Sequence, residues 1–360
     1  MLKFIKERES DYNANCFIND LANASKNLGI LEAKIDAYQF NSILVPMLHI
    51  KEATSSMIIE GTQMTVSDFL ENNINPKLDD TSKTLEVEQN IKAIIYGVEY
   101  LRNGKFTHSF IREIHKIMME NILPKQLENT IGEYKQTDNR IVNSVGTVVF
   151  TPPSHKETKK YMDELIDYLN NQSDNISPLI KAAILHSQFE SIHPFSDGNG
   201  RVGRVLFTLY LFKSNLINFP FFYISEAISM DKTIYYNMLT NSRVNSYDNW
   251  IKYFLNKIVI QTQKHIEYID SLNKLYNETK NIVMNSVNSP KFDSIVEHLF
   301  LNPVTTGKKL SNDLNISQGQ AIKYLNTLEE KNVLYGDDRK RGRSFYFAKL
   351  IELAQNNRQY

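Results

Sequence analysis

The chain is short of several things that would narrow its function by themselves. A single cysteine, Cys16, in 360 residues excludes an internal disulfide and any metal site built on several thiolates, and it points to a reducing compartment. Acidic and basic residues balance at 41 each, so the molecule has no global attraction to nucleic acid or anionic membrane, and any such affinity has to be local. Long apolar runs are missing: "VLFTLYLF" falls well short of the roughly 18 residues that cross a bilayer. The N-terminal "MLKFIKERESDYNANCF" is charged where a secretion signal needs an apolar segment. These absences describe a cytoplasmic protein without a membrane partner. What is present, 42% hydrophobic and 11% aromatic residues, is ample for a packed core and for two or three folding units.

Apolar residues at three- and four-residue spacing predict amphipathic helices over 82–101, 107–123 and 155–172. Between the second and third, "GEYKQTDNRIVNSVGTVVFTPP" (132–153) predicts a small hairpin: a Gly turn, the β-branched run Thr147–Phe150, and a stop at Pro152 and Pro153. Ser177 and Pro178 open the next helix, 177–192. The stretch 202–216 is apolar nearly all round, as a buried central helix should be. Residues 248–279 read as one or two long helices. Beyond about 290 come three short helical patterns, the third opened by Ser317 and Gln320 as a capping box, and then the basic turn "DDRKRG" between two β-like pieces. That order resembles a winged helix-turn-helix.

The densest chemistry is "HPFSDGNGRVGR", residues 193–204. Gly198, Gly200 and Gly203 satisfy the G-x-G-x-x-G pattern, but the preceding residues are helical, so the strand that a dinucleotide-binding unit requires is missing. Two glycines around Asn199 let the backbone turn and aim successive N–H groups inward, and a helix starting near Arg201 adds its positive end, which makes an anion cradle. Arg201 and Arg204, three apart, can grip two phosphates. Asp197 is unfavourable beside phosphate unless a cation such as Mg²⁺ bridges them. His193 is suited to take a proton from an attacking hydroxyl. Taken singly, each of these residues reads as packing or as a solvated helix face; only their joint spacing argues for a site.

That spacing resembles, without a mismatch, the H-x-F-x-[D/E]-G-N-G-R-x-x-R signature of the Fic family of AMP-transferring enzymes, and the similarity extends over roughly 50–260. The resemblance implies transfer of AMP from ATP to a Ser, Thr or Tyr hydroxyl of a target protein, or of the chain itself. It implies His193 as general base, Asp197 as the Mg²⁺ ligand, and Gly198, Asn199 and Gly200 as phosphate binders through their N–H groups. Arg201 and Arg204 would clamp the outer phosphates, and Phe195 would anchor the loop. The flap residues Thr147, Val148, Val149 and Phe150 would pair with an extended target segment. Tyr235 and Tyr236 align with the adenine side, with two core aromatics as the competing reading. Upstream, Ser56 and Glu60 in "TSSMIIEGTQ" lie four apart before Gly61, and this resembles the family's inhibitory helix. Glu60 would then pair with Arg204 where the ATP γ-phosphate belongs, and self-association into a homo-oligomer would act on that brake.

The expected organisation is mainly α. A helical N-terminal region spans 1–85, with the inhibitory helix at about 46–61. A Fic-type catalytic bundle with its β-hairpin flap spans 86–260, a linker helix 261–288 and a winged helix-turn-helix 289–360. Other readings stay open. Arg339, Lys340, Arg341 and Arg343 fit a nucleotide-sensing, DNA-binding transcriptional regulator, although Asp337, Asp338, Glu329 and Glu330 lie close by. Phosphate transfer as in the related Doc group goes with Lys at the position of Gly200, and removal of AMP is the reverse of the main reaction.

Overall fold

Two adjacent helices have almost no polar face, and the rest of the molecule is arranged around them. In the computed structural model, which describes residues 2–8, 12–37, 41–76, 81–142, 146–171 and 175–355, the elements in chain order are α1 (Ile18–Asp36), α2 (Asn41–Glu60), α3 (Val66–Ile74), α4 (Thr81–Leu101), α5 (His108–Met119), β1 (Ile141–Val142), β2 (Val148–Phe150), α6 (His155–Asn170), α7 (Pro178–Ile192), α8 (Asn199–Lys213), α9 (Ser225–Ser229), α10 (Lys232–Ser242) and α11 (Asp248–Ser286). A C-terminal unit follows: α12 (Phe292–Leu301), β3 (Val304–Thr306), α13 (Gly307–Leu314), α14 (Gln318–Glu330), β4 (Tyr335–Gly336), β5 (Ser344–Tyr346) and α15 (Ala348–Gln355). The protein is mainly α, as its apolar spacing predicts.

Helix α7 is buried from Leu179 to Ile192 and α8 from Val202 to Leu211. They pack on each other, with α4 and α5 against α8, and α6 and α11 against α7. The surrounding helices are held at their starts by side-chain caps. Thr107 Oγ1 accepts from the Phe110 N–H at 3.1 Å, and reciprocal capping boxes open α3 at Thr65–Asp68 and α6 at Ser154–Glu157. At α7, Pro178 stands at the first helical position without a side-chain cap from Ser177.

Several boundaries differ from the periodicity. Helix α5 stops at Met119, four residues before the predicted end, because the chain turns through Asn121 at φ 61°. Helix α8 starts at Asn199, three residues earlier than expected, with Gly198 at φ 77° as its N-cap. The long C-terminal pattern is one helix of 39 residues, about 58 Å at 1.5 Å per residue. The flap is an antiparallel pair, Ile141↔Phe150 and Val142↔Val148, with a bulge between; residues 143–145 of its turn lie outside the described residues. In the C-terminal unit the sheet order is β3-β5-β4. Ser317 caps α14 by accepting from the Gln320 N–H at 3.2 Å, but Gln320 Nε2 donates to Tyr324 Oη at 2.6 Å, so the expected capping box is only half formed.

The C-terminal unit touches the N-terminal helices directly. Helices α12 and α15 pack on α2, and α15 and β3 pack on α3. Buried Lys51 of α2 donates to the Ala354 carbonyl at 2.9 Å, and Asn75 bonds both Ser344 and Arg339.

Candidate active site

Leaving α7, the chain makes its sharp turn at His193 itself, which is held at φ 49°, ψ 59° with its N–H donating to Phe189 O at 3.0 Å. The loop 194–198 that follows is fixed by buried side chains. Asn199 Oδ1 accepts from the Phe195 N–H and its Nδ2 donates to Phe195 O, both at 2.9 Å. Asn139 Nδ2 donates to the His193 and Phe195 carbonyls at 3.1 Å each, and Lys135 Nζ in turn holds Asn139 Oδ1 at 2.8 Å and Ile192 O at 3.2 Å. From below, Phe195 is fully buried and stacks on the His115 ring at 3.9 Å. His115 Nδ1 accepts from the Gly132 N–H at 2.9 Å, so its proton sits on Nε2, which donates to Asp197 O at 3.1 Å. Burial pushes the His115 pKa down to about 4, against a weaker opposing hydrogen bond to Asp197, so the ring is neutral at pH 7.

This scaffold presents two chemical groups. One is the half-buried His193 imidazole. Its Nδ1 lies 3.3 Å from Glu190 O, which can only accept; the proton therefore belongs on Nδ1 and the Nε2 lone pair is available. Burial lowers the His193 pKa to about 4, partly opposed by the bond to Glu190, with Lys135 and Arg243 adding to the depression. The other is the first turn of α8, where the N–H groups of Asn199, Gly200 and Arg201 have no intrahelical carbonyl to bond. They face the same positive helix end. The Asn199 side chain is occupied with the loop, so its contribution to an anion would come from its backbone N–H.

A carboxylate already sits over that turn. A Cβ on Gly200 would lie 2.4 Å from Glu60 Oε1 and 3.1 Å from an Arg204 terminal nitrogen, so only glycine admits the carboxylate so close. Glu60 Oε1 accepts from Arg204 Nη2 at 2.7 Å. Arg204 Nε donates to Ser56 Oγ at 2.9 Å, and Nη2 to Ser56 O at 3.2 Å. The two residues four apart on α2 thus meet the same guanidinium, which is itself 2% exposed. Helix α2 ends there in a Schellman motif: Gly61 at φ 93° donates to Ile58 O and Thr62 N–H to Met57 O. Burial would raise the Glu60 carboxyl, but the charges of Arg204, Arg201 and Lys232 outweigh it and leave it below the ordinary range.

Arg201 pairs with Glu86 at 3.2 Å and lies 3.8 Å from Asp197. Its buried Nε makes no hydrogen bond to the described residues, leaving a donor inside the cradle for an anion. Burial pushes the Glu86 carboxyl up, with Asp197 and Glu60 adding to the rise and Arg201 opposing it. The Asp197 side chain is about half exposed, and its Oδ1 accepts from the Gly198 N–H at 2.5 Å. No group of three His, Cys, Asp or Glu able to hold a metal occurs among the described residues. One exposed carboxylate beside an anion cradle suits Mg²⁺, which is bound through one or two carboxylates plus phosphate oxygens and water.

The two tyrosines expected on the adenine side differ in exposure. Tyr236 is 42% exposed and its hydroxyl donates to Ile59 O at 3.4 Å, at the edge of the cleft. Tyr235 is a correction: it is buried, its hydroxyl bonds His186 Nε2 at 2.9 Å, and its ring belongs to the core beside Trp250. The two rings still touch, 5.1 Å between centroids, so the buried Tyr235 backs the exposed Tyr236. In the flap Val148 and Val149 are exposed, while Phe150 turns inward under the Arg243 guanidinium at 4.4 Å. Sequence reading missed Glu86, His115, Lys135 and Asn139. Each is a lone polar residue far from the motif, and only a His on the apolar face of α5 carried any local signal.

The model of the Fic/DOC family matches residues 105–211, and that of the Fic/DOC family N-terminal region matches 18–99; together they take in more than half of the chain. A probable protein adenylyltransferase of Aquifex aeolicus is 26% identical over 228 residues, 56% of this chain and 67% of the relative. Protein adenylyltransferase fic-1 of Caenorhabditis elegans is 39% identical over 66 residues, so the match spans 18% of this chain and only 13% of that relative. Among solved structures, a Fic family protein from Desulfovibrio desulfuricans aligns over 93% of this chain and 97% of its own, with a TM-score of 0.60 at 19% identity. A Fic domain containing signaling protein from Bacteroides thetaiotaomicron aligns over 68% and 97%, with a TM-score of 0.55 at 22% identity. Those likenesses establish the shared fold, and with the matches to both parts of the family they show that this chain belongs to the Fic/DOC family.

Proposed function

We propose that the chain transfers AMP from ATP to a Ser, Thr or Tyr hydroxyl of a protein and that Glu60 holds it in a slow state. The observation that carries this reading is Glu60 Oε1, seated over Gly200 and bonded to Arg204, in the same motif as His193. In the reaction the substrate hydroxyl oxygen bonds the α-phosphorus, the bond from that phosphorus to the bridging oxygen breaks, and pyrophosphate leaves. His193 Nε2 takes the hydroxyl proton. The first-turn N–H groups of α8, with Arg201 and Arg204, hold the outer phosphates. Asp197 would hold Mg²⁺, which when bound offsets phosphate charge. A γ-phosphate entering beside Glu60 would put like charges about 4 Å apart, which at an effective dielectric of about 20 costs about 4 kcal/mol.

Glu60→Gly is therefore expected to raise AMP incorporation by about 100-fold or more, and His193→Ala to lower it by 10²- to 10⁴-fold in either background. The measurement is transfer from ATP labelled at the α- or the γ-phosphorus. Label from the α position supports AMP transfer, whereas label from γ only would make the chain a phosphotransferase, and no gain from Glu60→Gly would remove the brake. Gly200, in place of lysine, supports the AMP orientation.

For the C-terminal unit, the order α12-β3-α13-α14-β4-β5, three helices and three short strands ahead of α15, supports a winged helix-turn-helix. It gives little support to duplex reading. Arg343 makes two 2.8 Å bonds to Glu329, Arg339 bonds Asp337, Asn75 and Ser344, and a guanidinium so engaged is poorly placed for DNA phosphates. Docking of protein, including the rest of this chain, fits better.

A further inference from the structure

Glu86 stands on α4, outside the motif, yet it holds one of the motif's two arginines. It shares a helix face with Gln89, Asn90 and Ala93, all of them buried. Helix α4 lies hard against α8: a Cβ on Gly97 would come 2.4 Å from Leu209 Cδ1, so the glycine is what lets the two helices come this close. At that spacing Glu86 Oε2 accepts from Arg201 Nη1 at 3.2 Å, and the two side chains are only 18% and 13% exposed.

The choice of nitrogen is informative. Along one side of a guanidinium, Nε and Nη2 form a fork that matches two oxygens of a phosphate. In Arg204 that fork is filled: Nε donates to Ser56 Oγ, and Nη2 to Glu60 Oε1 and Ser56 O. In Arg201 it is open. Glu86 takes Nη1, the nitrogen that the fork does not use, while Nε is buried with no hydrogen-bond partner among the described residues. Nη2 lies 3.8 Å from Asp197 Oδ1, beyond hydrogen-bond distance. A buried donor without a partner is rare in a folded protein and marks a place for a ligand oxygen. The two carboxylates therefore stand in opposite relations to their arginines, Glu60 in the fork and Glu86 behind it. We propose that Glu86 is a positioning residue for AMP transfer, which holds Nη1 so that the Nε/Nη2 fork of Arg201 is aimed in advance at an outer phosphate of ATP. A free arginine gives up rotamer freedom on meeting a phosphate, and the pair with Glu86 removes much of that loss beforehand. In this role Glu86 acts through Arg201 and needs no contact with nucleotide or target.

This assignment rests on the AMP-transfer reading, so its test has a binding arm independent of catalysis. The full chain carrying Glu60→Gly is titrated with ATP and with AMP in the presence of Mg²⁺. Adding Glu86→Ala is expected to weaken ATP by about tenfold and AMP by less than about twofold, because AMP has no outer phosphate for the fork to hold. Glu86→Gln, which keeps an acceptor for Nη1, should recover part of the lost affinity. In AMP incorporation from ATP labelled at the α-phosphorus, Glu86→Ala should raise KM for ATP about tenfold and lower kcat by less. Thermal melting verifies that each variant is folded, and should Glu86→Ala not fold, the same split is read on Glu86→Gln at about threefold. Equal losses for ATP and AMP, no loss for ATP, or a Gln variant no better than Ala overturns the assignment. So does a gain in rate or affinity, which would make Glu86 a second carboxylate opposing the nucleotide. No binding of ATP by the Glu60→Gly chain overturns both this role and the transferase reading. The expected split in binding with no AMP on any protein keeps the role of Glu86 and sinks the transferase reading alone.

Discussion

A single residue, Asn199, decides whether the motif loop holds its shape. Its amide satisfies both the N–H and the carbonyl of Phe195, and while Asn139 also serves that carbonyl, no second group among the described residues serves the N–H. Asn199→Ala should leave a buried donor unpaired, costing about 1–3 kcal/mol of stability. The His193 turn would drift, and since a displacement near 1 Å can cost about 10²-fold, kcat for AMP transfer by the Glu60→Gly chain should fall at least tenfold. KM for ATP should change far less, because the first-turn N–H groups remain. Steady-state kinetics of the double variant against Glu60→Gly checks this split. At this scale the sequence was most legible within the motif, where twelve neighbouring residues are gathered on one loop and one helix start. It was least legible for the residues that hold them. Glu86, His115, Lys135 and Asn139 arrive from 54 or more positions away by packing, and apart from His115 on the apolar face of α5 no local pattern marks a side chain whose partner is that distant.

At the scale of the element, α2 is a helix whose final turn carries Glu60, the proposed brake. Its last two carbonyl bonds come from Gly61 and Thr62, and they require φ 93° at Gly61. A Cβ there would meet nothing within 4 Å, so Gly61→Ala has a purely conformational cost of about 1 kcal/mol. Fraying this turn loosens Glu60 without deleting it. AMP incorporation should therefore rise by up to about fivefold, well below the Glu60→Gly rate, while His193→Ala still abolishes it. If Gly61→Ala lies at or below the wild-type rate, the turn does not set the position of the carboxylate. The helix itself was readable from Ser56, Glu60 and Gly61, and so were the central helices from their apolar spacing. Boundaries were less so, because α8 begins where Gly198 takes a left-handed conformation and α5 ends at Asn121. Those are backbone events that hydrophobic periodicity does not register.

The whole molecule carries a pH dependence that follows from where its histidines lie. Six of the eight sit in packed surroundings that hold them neutral. Burial depresses His49, His115, His193, His265 and His298 to about 4 and His186 to about 3. Unfolded, each takes a proton near its ordinary value of 6.5. Their contribution to stability is full above pH 6.5 and is lost as pH falls toward 4, since over that window the unfolded chain binds the extra protons. Each such group costs up to about 1.4 kcal/mol per pH unit. Two buried carboxyls act in the opposite sense. Burial raises Glu52, against its bonds to Ser225 and the charge of Arg204, and it raises Glu190 against Arg204, each to about 7, so acid favours their folded form until their unfolded value near 4.5. Six groups outweigh two, and the net expectation is a fall of several kcal/mol between pH 6.5 and 4.5, read as a lower urea midpoint at unchanged m-value. Activity should respond differently over its upper range. With His193 depressed to about 4 and serving as base in its neutral form, the rate of the Glu60→Gly chain should stay level from pH 8 down to about 6, without the half-loss near 6.5 that an exposed imidazole would give. A midpoint near 6.5 in the rate profile, under conditions where the fold is intact, would mean that His193 titrates as a solvated ring and that the packing around it does not set its basicity.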